Sequence, residues 1–264
     1  MQITDKINCR MAEIGQEELF YQITKSLDKA GNLLLEYFVK NIRVHNKHDN
    51  SPVTEADLAV NDFICDMLSK YSDLPIVSEE HDAEDNIKAA SQDEFWIIDP
   101  LDGTQSFINK NQEFAICLAK IKNNRPEFGF IHVPFQKDTY YSDGQNAYRR
   151  NFDQKVMTLG VKKKDIGLHI LSSQRMKNNM EFADFIAQYD VEQISVISSA
   201  IKFCHVAKGD AQLYPYFADT MQWDSAAGDA IVKAAGGRVT DLQGNALYYG
   251  PKNNFVNPYF VVQA

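Results

Sequence analysis

The segment Trp96–Thr104 constrains the fold and the chemistry of this chain more than any other stretch. It reads Trp-Ile-Ile-Asp-Pro-Leu-Asp-Gly-Thr, so an apolar, strand-prone run delivers two carboxylates into a turn. Proline fixes one backbone angle there, and glycine permits an unusual one. Asp99 and Asp102 can therefore converge, with the carbonyl of Leu101 between them. Such oxygen ligands suit a hard cation such as Mg²⁺, although Asp, Pro and Gly also make ordinary turns.

Three further segments place acidic residues at the ends of predicted elements. They are the strand Leu74–Glu80 with Glu79 and Glu80, the helix start Ser51–Asp57 with Asp57, and the helix start Trp223–Gly228 with Asp224. Each acid has a structural alternative as a solvated strand end, part of a capping box or a helix cap. The amides at a helix start also favour a bound phosphate. Four acidic element ends in one chain are harder to explain as independent caps than as one site.

The bulk composition is that of a globular protein with a large core. The chain has 264 residues, 44% of them hydrophobic, and a formal net charge of −9. This charge argues against nucleic acid or an anionic membrane as a partner, while a small phosphorylated substrate stays compatible because cations reverse the field locally. Four scattered cysteines without Cys-x-x-Cys spacing favour free thiols in a reducing cytoplasm. The sequence predicts no signal peptide and no membrane insertion, and leaves peripheral inner-membrane association and oligomeric state open.

The order of periodic segments predicts an α+β protein. Helical spacing indicates helices over about 16–41 and 55–70, and a run of neighbouring strands follows, which favours a mixed or antiparallel sheet. The stretch Ile42–Asn50 is predicted as a polar connection. A polar, basic passage around Arg149–Gly167 predicts a boundary between lobes of about 1–155 and 156–264, both parts of one catalytic unit. Strands and helices alternate beyond it.

These motifs resemble those of a known family. The Glu-Glu pair, Asp-Pro-Leu-Asp-Gly-Thr and Trp-Asp-Ser-Ala-Ala-Gly are similar to signatures of the inositol monophosphatase superfamily of lithium-sensitive, Mg²⁺-dependent phosphatases. Four more segments resemble its bacterial 3′(2′),5′-bisphosphate nucleotidase branch: Asn50–Thr54, Asn111–Phe114, Ser198–Cys204 and Ala211–Pro215. The resemblance implies a layered αβαβα sandwich of the lithium-sensitive sugar-phosphatase type, with the acids where the two lobes meet.

The resemblance also implies a role for each acid. Glu79, Asp99 and the Leu101 carbonyl would hold one Mg²⁺, and Asp99, Asp102 and Asp224 a second. Glu79 and Asp57 would support a weaker third, which gives two or three Mg²⁺ per active site. Asp57 and Thr104 would be catalytic, because they would orient and deprotonate the attacking water. The residues implied to bind substrate are Glu79, Leu101, Asp102, Gly103, Thr104, Ser198, Ser199, Lys202 and Asp224.

The implied activity is hydrolysis of the 3′-phosphate of 3′-phosphoadenosine 5′-phosphate, with the 5′-phosphosulfate as a second candidate substrate. Ser198, Ser199 and Lys202 match the branch positions expected at the second phosphate and ribose. The sequence departs from the branch at three places. The departures at Gln174-Arg175 and at Tyr216 remove or move positive charge near the expected second phosphate, and Ile197 adds bulk beside it. An inositol monophosphatase or fructose-1,6-bisphosphatase on the same scaffold is the alternative enzyme. A structural divalent-cation-binding protein is the non-enzyme alternative.

Overall fold

A computed structural model describes residues 15–40 and 52–264, together with the backbone of 44–46. The helices in these ranges are α1 (Gly15–Phe38), α2 (Glu55–Tyr71), α3 (Ala83–Ala90), α4 (Thr104–Ile108), α5 (Met180–Ile186), α6 (Ile201–Ala207) and α7 (Gln222–Ala234). The strands are β1 (Val44–Asn46), β2 (Pro52–Thr54), β3 (Ile76–Ser78), β4 (Glu94–Asp102), β5 (Ala115–Lys122), β6 (Arg125–Val133), β7 (Asp138–Ser142), β8 (Ala147–Arg150), β9 (Val156–Thr158), β10 (Leu168–Ser172), β11 (Val191–Val196), β12 (Leu213–Tyr216), β13 (Arg238–Asp241) and β14 (Phe260–Gln263).

Two sheets organise the chain. The larger sheet has the order β3-β4-β5-β6-β7-β8-β9, and only its β3–β4 pair is parallel. The smaller sheet has the order β11-β10-β12-β14-β13 and is also mixed. β1 and β2 form a separate antiparallel pair. The mixed sheet predicted for the first half of the chain is therefore confirmed.

The central strand β4 shows why the sheets are layered between helices. Because side chains alternate along a strand, Trp96 and Ile98 pack with α1 and α2 on one face, whereas Phe95 and Ile97 join a second core on the other. That second core contains α6 and α7 and extends onto the smaller sheet. Helix α5 lies beside this sheet, where Phe185 packs 5.5 Å from Phe217 between ring centres. The predicted αβαβα sandwich is confirmed.

Several short elements were not predicted. Helices α3 and α4 and strands β8 and β9 carry too few residues for a clear period, and all of β9 is exposed. Within the stretch Ile42–Asn50, predicted as a connection, Val44–Asn46 pairs instead with Pro52–Thr54. The rest of that stretch lies outside the described residues. The boundary between lobes near residue 155 stays a prediction.

None of the helices in the described ranges combines the length and apolar character that crossing a membrane requires.

Helix α7 approaches the larger sheet closely at Gly129 of β6. A Cβ atom on Gly129 would lie 2.7 Å from both the Cα and the carbonyl oxygen of Ala227, and backbone atoms cannot rotate away. We expect Gly129→Ala to lower the free energy of unfolding by about 1–3 kcal/mol, because the helix must move off the sheet. Gly160→Ala is the control, since a Cβ there meets nothing within 4 Å. Equal stability of the two variants in urea denaturation would contradict the close approach.

Candidate active site

A bulge in β4 brings Asp99 and Asp102 to one place. Asp99 pairs with Cys117 and Asp102 with Ala115, so β4 uses one residue more than β5 over this interval. Residues three apart in a regular strand point to opposite faces, and the extra residue reverses that relation. Pro100 lies at the irregularity, where its missing N–H leaves no ladder bond to lose. The structure therefore extends the strand to Asp102, beyond the end at residue 99 that the sequence predicted.

Asp224 completes a cluster with these two acids. Ligand atoms of Asp99, Asp102 and Asp224 all lie within 4.8 Å of one another. Asp224 is in the first turn of α7, where its Oδ2 accepts the Met221 amide at 2.8 Å and a bond from the Thr220 hydroxyl. Asp99 is 1% exposed, while the other two carboxylates remain partly accessible. An acid from β4, one from its end and one from a helix between the sheets are thus brought together.

Glu79 lies at the end of β3, beside Asp99 on the parallel strand β4. Its amide donates to the Ile98 carbonyl at 3.2 Å. Two buried amide side chains hold the preceding residue, because Ser78 Oγ donates to Asn61 Oδ1 at 2.7 Å and the Ser78 amide donates to Asn86 Oδ1 at 2.9 Å. Glu79 is outside the 4.8 Å cluster, yet its charge contributes to the raised pKa of Asp99, Asp102 and Asp224.

Asp57 and Thr104 form a pair next to the acids. The Asp57 Oδ2 atom accepts the Thr54 amide at 2.8 Å and the Thr54 hydroxyl at 2.5 Å, which is the capping box of α2. The other carboxylate oxygen, Oδ1, is 3.3 Å from Thr104 Oγ1. Thr104 Oγ1 is also 3.1 Å from the Leu101 carbonyl oxygen. One carboxylate oxygen of Asp57 therefore caps α2, and the other lies within hydrogen-bond distance of the Thr104 hydroxyl.

Gly103 sets the direction of this turn. Its φ of 95° lies in the left-handed region, and an added Cβ would lie 3.0 Å from the Glu113 carbonyl oxygen and 3.3 Å from Ser199 Cβ. Only glycine meets both conditions without strain. The turn that the sequence predicted at Gly103 is followed by α4, a short helix from Thr104 that the sequence did not predict.

The pKa values of the aspartates at this site are raised, so these groups ionise less readily than free carboxylic acids. Desolvation by burial and then the charges of neighbouring acids raise the pKa of Asp99 well above its usual value and that of Asp224 to about 7. Burial also raises the pKa of Asp102 to about 6, against the opposing effect of Lys202. For Asp57, burial raises the pKa to about 6 although the bonds from Thr54 lower it. Converging carboxylates of this kind fit a divalent cation, which would remove the repulsion.

We expect protons to compete with Mg²⁺ at this cluster. The pKa is about 6 for Asp102 and about 7 for Asp224 in the fold, against 3.8 for the unfolded chain. Protonation of these two groups therefore favours the metal-free fold fully below about pH 3.8, and this contribution to stability is lost as the pH rises through about 6 to 7. Mg²⁺ should therefore raise the thermal midpoint more at about pH 8 than at about pH 5.5. Differential scanning calorimetry with Mg²⁺ or chelator checks this. A Mg²⁺ shift that does not vary between these pH values would contradict it.

The segment Ser198–Lys202 lies directly beside the acids. The Ser198 amide donates to Glu113 Oε2 at 2.9 Å, and the Ala200 amide donates to Asp102 Oδ2. The Lys202 ammonium, however, is buried at 4% exposure and donates to the carbonyls of Ile197 and Ser199. A contact between Lys202 and a second phosphate stays a prediction.

Arg175, which the sequence singled out as a departure from the branch, is an exposed cation of this region. Its charge opposes the rise in the pKa of both Asp102 and Tyr216, and its Nη1 atom donates to the Asp219 carbonyl oxygen at 3.4 Å. Tyr216 itself is 7% exposed and stacks on Phe260, with ring centres 5.7 Å apart. Arg175 therefore lies at the edge of the site, with its guanidinium in the field of the acids.

Sequence reasoning missed the residues that hold the acids in place. Asn61 and Asn86 fix the end of β3, Thr220 binds Asp224, and Glu113 binds the Ser198 amide. A capping pattern could have indicated Thr220, four residues before Asp224. The other three carry no local signal, because their partners are distant in sequence.

The fold agrees with the comparison to known proteins. The chain belongs to the inositol monophosphatase family, whose model matches residues 16–260. It is thus a phosphatase of this family, and divalent-metal dependence is typical of such proteins.

Several relatives and solved structures are similar to this chain over most of its length. The 3′(2′),5′-bisphosphate nucleotidase CysQ of Salmonella typhimurium is 35% identical over 91% of this chain and 98% of its own length. CysQ of Escherichia coli K12 is 35% identical with the same coverage. The crystal structure of CysQ from Bacteroides thetaiotaomicron is 31% identical with a TM-score of 0.76, covering 90% of this chain and 94% of that one. An IMPase of Thermotoga maritima is 26% identical with a TM-score of 0.72, covering 94% and 92%.

Proposed function

We propose that this protein is a Mg²⁺-dependent phosphomonoesterase that releases the 3′-phosphate of 3′-phosphoadenosine 5′-phosphate. The observation that carries the proposal is the cluster of Asp99, Asp102 and Asp224 beside the Thr104–Asp57 pair. Glu79 and the Leu101 carbonyl complete the donor set for two or three ions. The curated relatives named above support the nucleotide substrate, because their names specify a bisphosphate nucleotidase.

Bound divalent ions would act as Lewis acids and make water a better nucleophile. The Thr104 hydroxyl lies between Asp57 Oδ1 and the Leu101 carbonyl, so a water that donates to Thr104 Oγ1 is oriented by a fixed acceptor. Asp57, with its raised pKa of about 6, can take up the proton that passes through Thr104. The amides of Gly103 and Thr104, with the first turn of α7, would hold the phosphate oxygens.

A second phosphate group of the substrate would bind at the outer edge of the site. We propose that Arg175 supplies this contact, because its side chain is exposed and its charge acts on the Asp102 carboxylate, whose pKa it lowers. Ser198 and Ser199 would bind the ribose side. The buried thiols of Cys117 and Cys204 support a reducing, cytoplasmic location.

A Mg²⁺-dependent phosphate-release panel tests the proposal. Its substrates are 3′-phosphoadenosine 5′-phosphate, inositol 1-phosphate and fructose 1,6-bisphosphate. We expect the highest kcat/KM on the nucleotide. A higher value on an inositol or fructose phosphate would favour the alternative enzymes, and phosphate release that survives exhaustive chelation would refute the metal site.

We expect Arg175→Gln to raise KM for the nucleotide bisphosphate by about tenfold to a hundredfold, the span for one charge-assisted contact. KM for a nucleoside monophosphate should change little, since that substrate lacks the second phosphate. Lys177→Gln is the matched control, because Lys177 is an exposed cation two positions away on the same turn. Equal KM changes on the two substrates would place the second phosphate elsewhere.

A further inference from the structure

A serine and a histidine from neighbouring strands of the smaller sheet form a hydrogen-bonded pair that takes no part in the acid cluster. His169 is in β10 and Ser195 is in β11, and these two strands run parallel. His169 Nε2 lies 2.9 Å from Ser195 Oγ, and His169 Nδ1 lies 2.8 Å from the carbonyl oxygen of Asp210. Both side chains are half-buried, so a small molecule in solution can reach them.

The Asp210 carbonyl fixes the tautomer of His169. A carbonyl oxygen only accepts hydrogen bonds, so Nδ1 must carry the proton and donate it. In the neutral imidazole Nε2 is then unprotonated, and it accepts the hydroxyl hydrogen of Ser195. Gln193 Nε2 donates to the same Ser195 Oγ at 3.0 Å, which leaves the hydroxyl hydrogen directed at His169. Ser195 is therefore bonded to a base in the form that can take up its proton.

Asp210 is itself held by three bonds, so the group that orients His169 is fixed. The Asp210 amide donates to the His205 carbonyl oxygen at 3.0 Å. Its Oδ2 atom lies 3.1 Å from His205 Nδ1 and 2.7 Å from Lys208 Nζ. A hydroxyl bonded to a base, with the base oriented by a third group, is the arrangement that activates a serine for nucleophilic attack. A backbone carbonyl here takes the orienting role.

The edge of the sheet supplies a hydrogen-bond donor next to the serine. β11 is the outermost strand of the smaller sheet, and its only strand neighbour is β10 among the described residues. The Ile197 amide donates to the Ser172 carbonyl oxygen of β10 at 3.0 Å. Because successive amides of a strand point in opposite directions, the Val196 amide points away from β10. The residue after Ser195 thus directs an N–H to the open edge, where it can bind a developing oxyanion.

We propose that Ser195 and His169 form a second reactive site, at which Ser195 takes an acyl group from an activated ester of a carboxylic acid. The Ser195 Oγ–carbon bond forms and the bond from carbon to the leaving oxygen breaks. The hydroxyl proton passes to His169 Nε2 and then to the leaving oxygen. Water attacks the acyl-serine in turn, giving one proton through His169 back to Ser195 Oγ, so that ester and water yield acid and alcohol. This chemistry requires no metal ion and is independent of the phosphatase site.

The test measures 4-nitrophenol release from 4-nitrophenyl acetate, with chelator present throughout. We expect Ser195→Ala to remove most of the release, whereas the control Ser91→Ala changes it by less than about twofold. Ser91 is a suitable control because its exposed hydroxyl donates to a carbonyl, that of Ile87, and not to a base. Parent-level release by Ser195→Ala would overturn the proposal, since it would assign the reaction to His169 itself or to other nucleophiles.

A second pair of variants tests the base. We expect His169→Gln to lower the Ser195-dependent rate by about a hundredfold or more, the span for a general base. His205→Gln is the matched control, because it removes an imidazole that bonds the Asp210 carboxylate and not Ser195. Its rate should stay within about threefold of the parent, since the amide of Asp210 and Lys208 keep Asp210 in place. Equal losses in both variants, or none in His169→Gln, would overturn the proposal.

Discussion

Asp224→Asn should lower Mg²⁺-dependent turnover by about a thousandfold or more, because it removes one of the three converging carboxylates. The change is nearly isosteric and neutralises a group whose pKa burial already raises to about 7, so the fold should tolerate it. Phosphate release and isothermal titration with Mg²⁺ measure the effect. We expect the Mg²⁺ affinity to fall together with turnover.

The same helix offers a matched control. Asp229 is also a buried carboxylate of α7 whose pKa burial raises to about 7, and it accepts a bond from the Tyr249 hydroxyl at 3.1 Å. It takes no part in the acid cluster. Asp229→Asn should therefore leave turnover within about threefold of the parent, since the amide oxygen can still accept that bond. Similar losses in both variants would indicate damage to α7 and not to a metal site.

Thr104→Ala should lower kcat by about two to four orders of magnitude, the usual span for general acid–base and orienting groups. The substitution removes the hydroxyl that lies 3.3 Å from Asp57 and 3.1 Å from the Leu101 carbonyl. Asp57 should keep its place, because its other oxygen stays bound to Thr54. Calorimetric titration with Mg²⁺ should then give an affinity close to that of the parent.

The Thr104→Ser variant distinguishes the role of the Thr104 hydroxyl in catalysis from the role of its methyl group in packing. Serine keeps the hydroxyl and loses one methyl group, so kcat should stay within about tenfold of the parent. Parent-level turnover by Thr104→Ala would refute the role of Thr104 in orienting water. A comparable fall in the serine variant would instead assign the effect to the shape of the turn at Gly103.

Long periodic elements and the acid segments were predictable from sequence, for physical reasons. The helix predicted at 16–41 corresponds to α1, which buries Leu19, Ile23 and Leu27 at helical spacing. The apolar run before Asp99 forms a strand buried on both faces. The acids follow such elements directly, so once the elements are placed the acids must lie at their ends. The short α3 and β9 lack such a signal, because three to eight residues complete too few periods.

The details that decide orientation could not be predicted in this way. Nothing local in the sequence indicates that Ser199 adopts a left-handed φ, because the neighbouring amides bond to Asp102 and Glu113, which are distant in sequence. The sequence also does not show that the Lys202 ammonium donates to the carbonyls of Ile197 and Ser199, and its contact with a second phosphate stays a prediction. A lysine on a short helix looks identical in sequence whether it points outward or inward.

The bulge in β4 limits how many residues can separate Asp99 from Asp102. Between Asp99 and Asp102 the strand holds one residue more than its partner, and the side-chain alternation of the two acids depends on that surplus. A deletion of Pro100 would restore regular pairing and leave both acids on one face, but it would remove the bulged turn in which the Leu101 carbonyl oxygen lies 3.1 Å from Thr104 Oγ1. Loss or gain of one codon here is thus expected to be far more damaging than most single replacements. We therefore expect replacements of the apolar residues around the acids to be tolerated better than a change in the number of residues between Asp99 and Asp102.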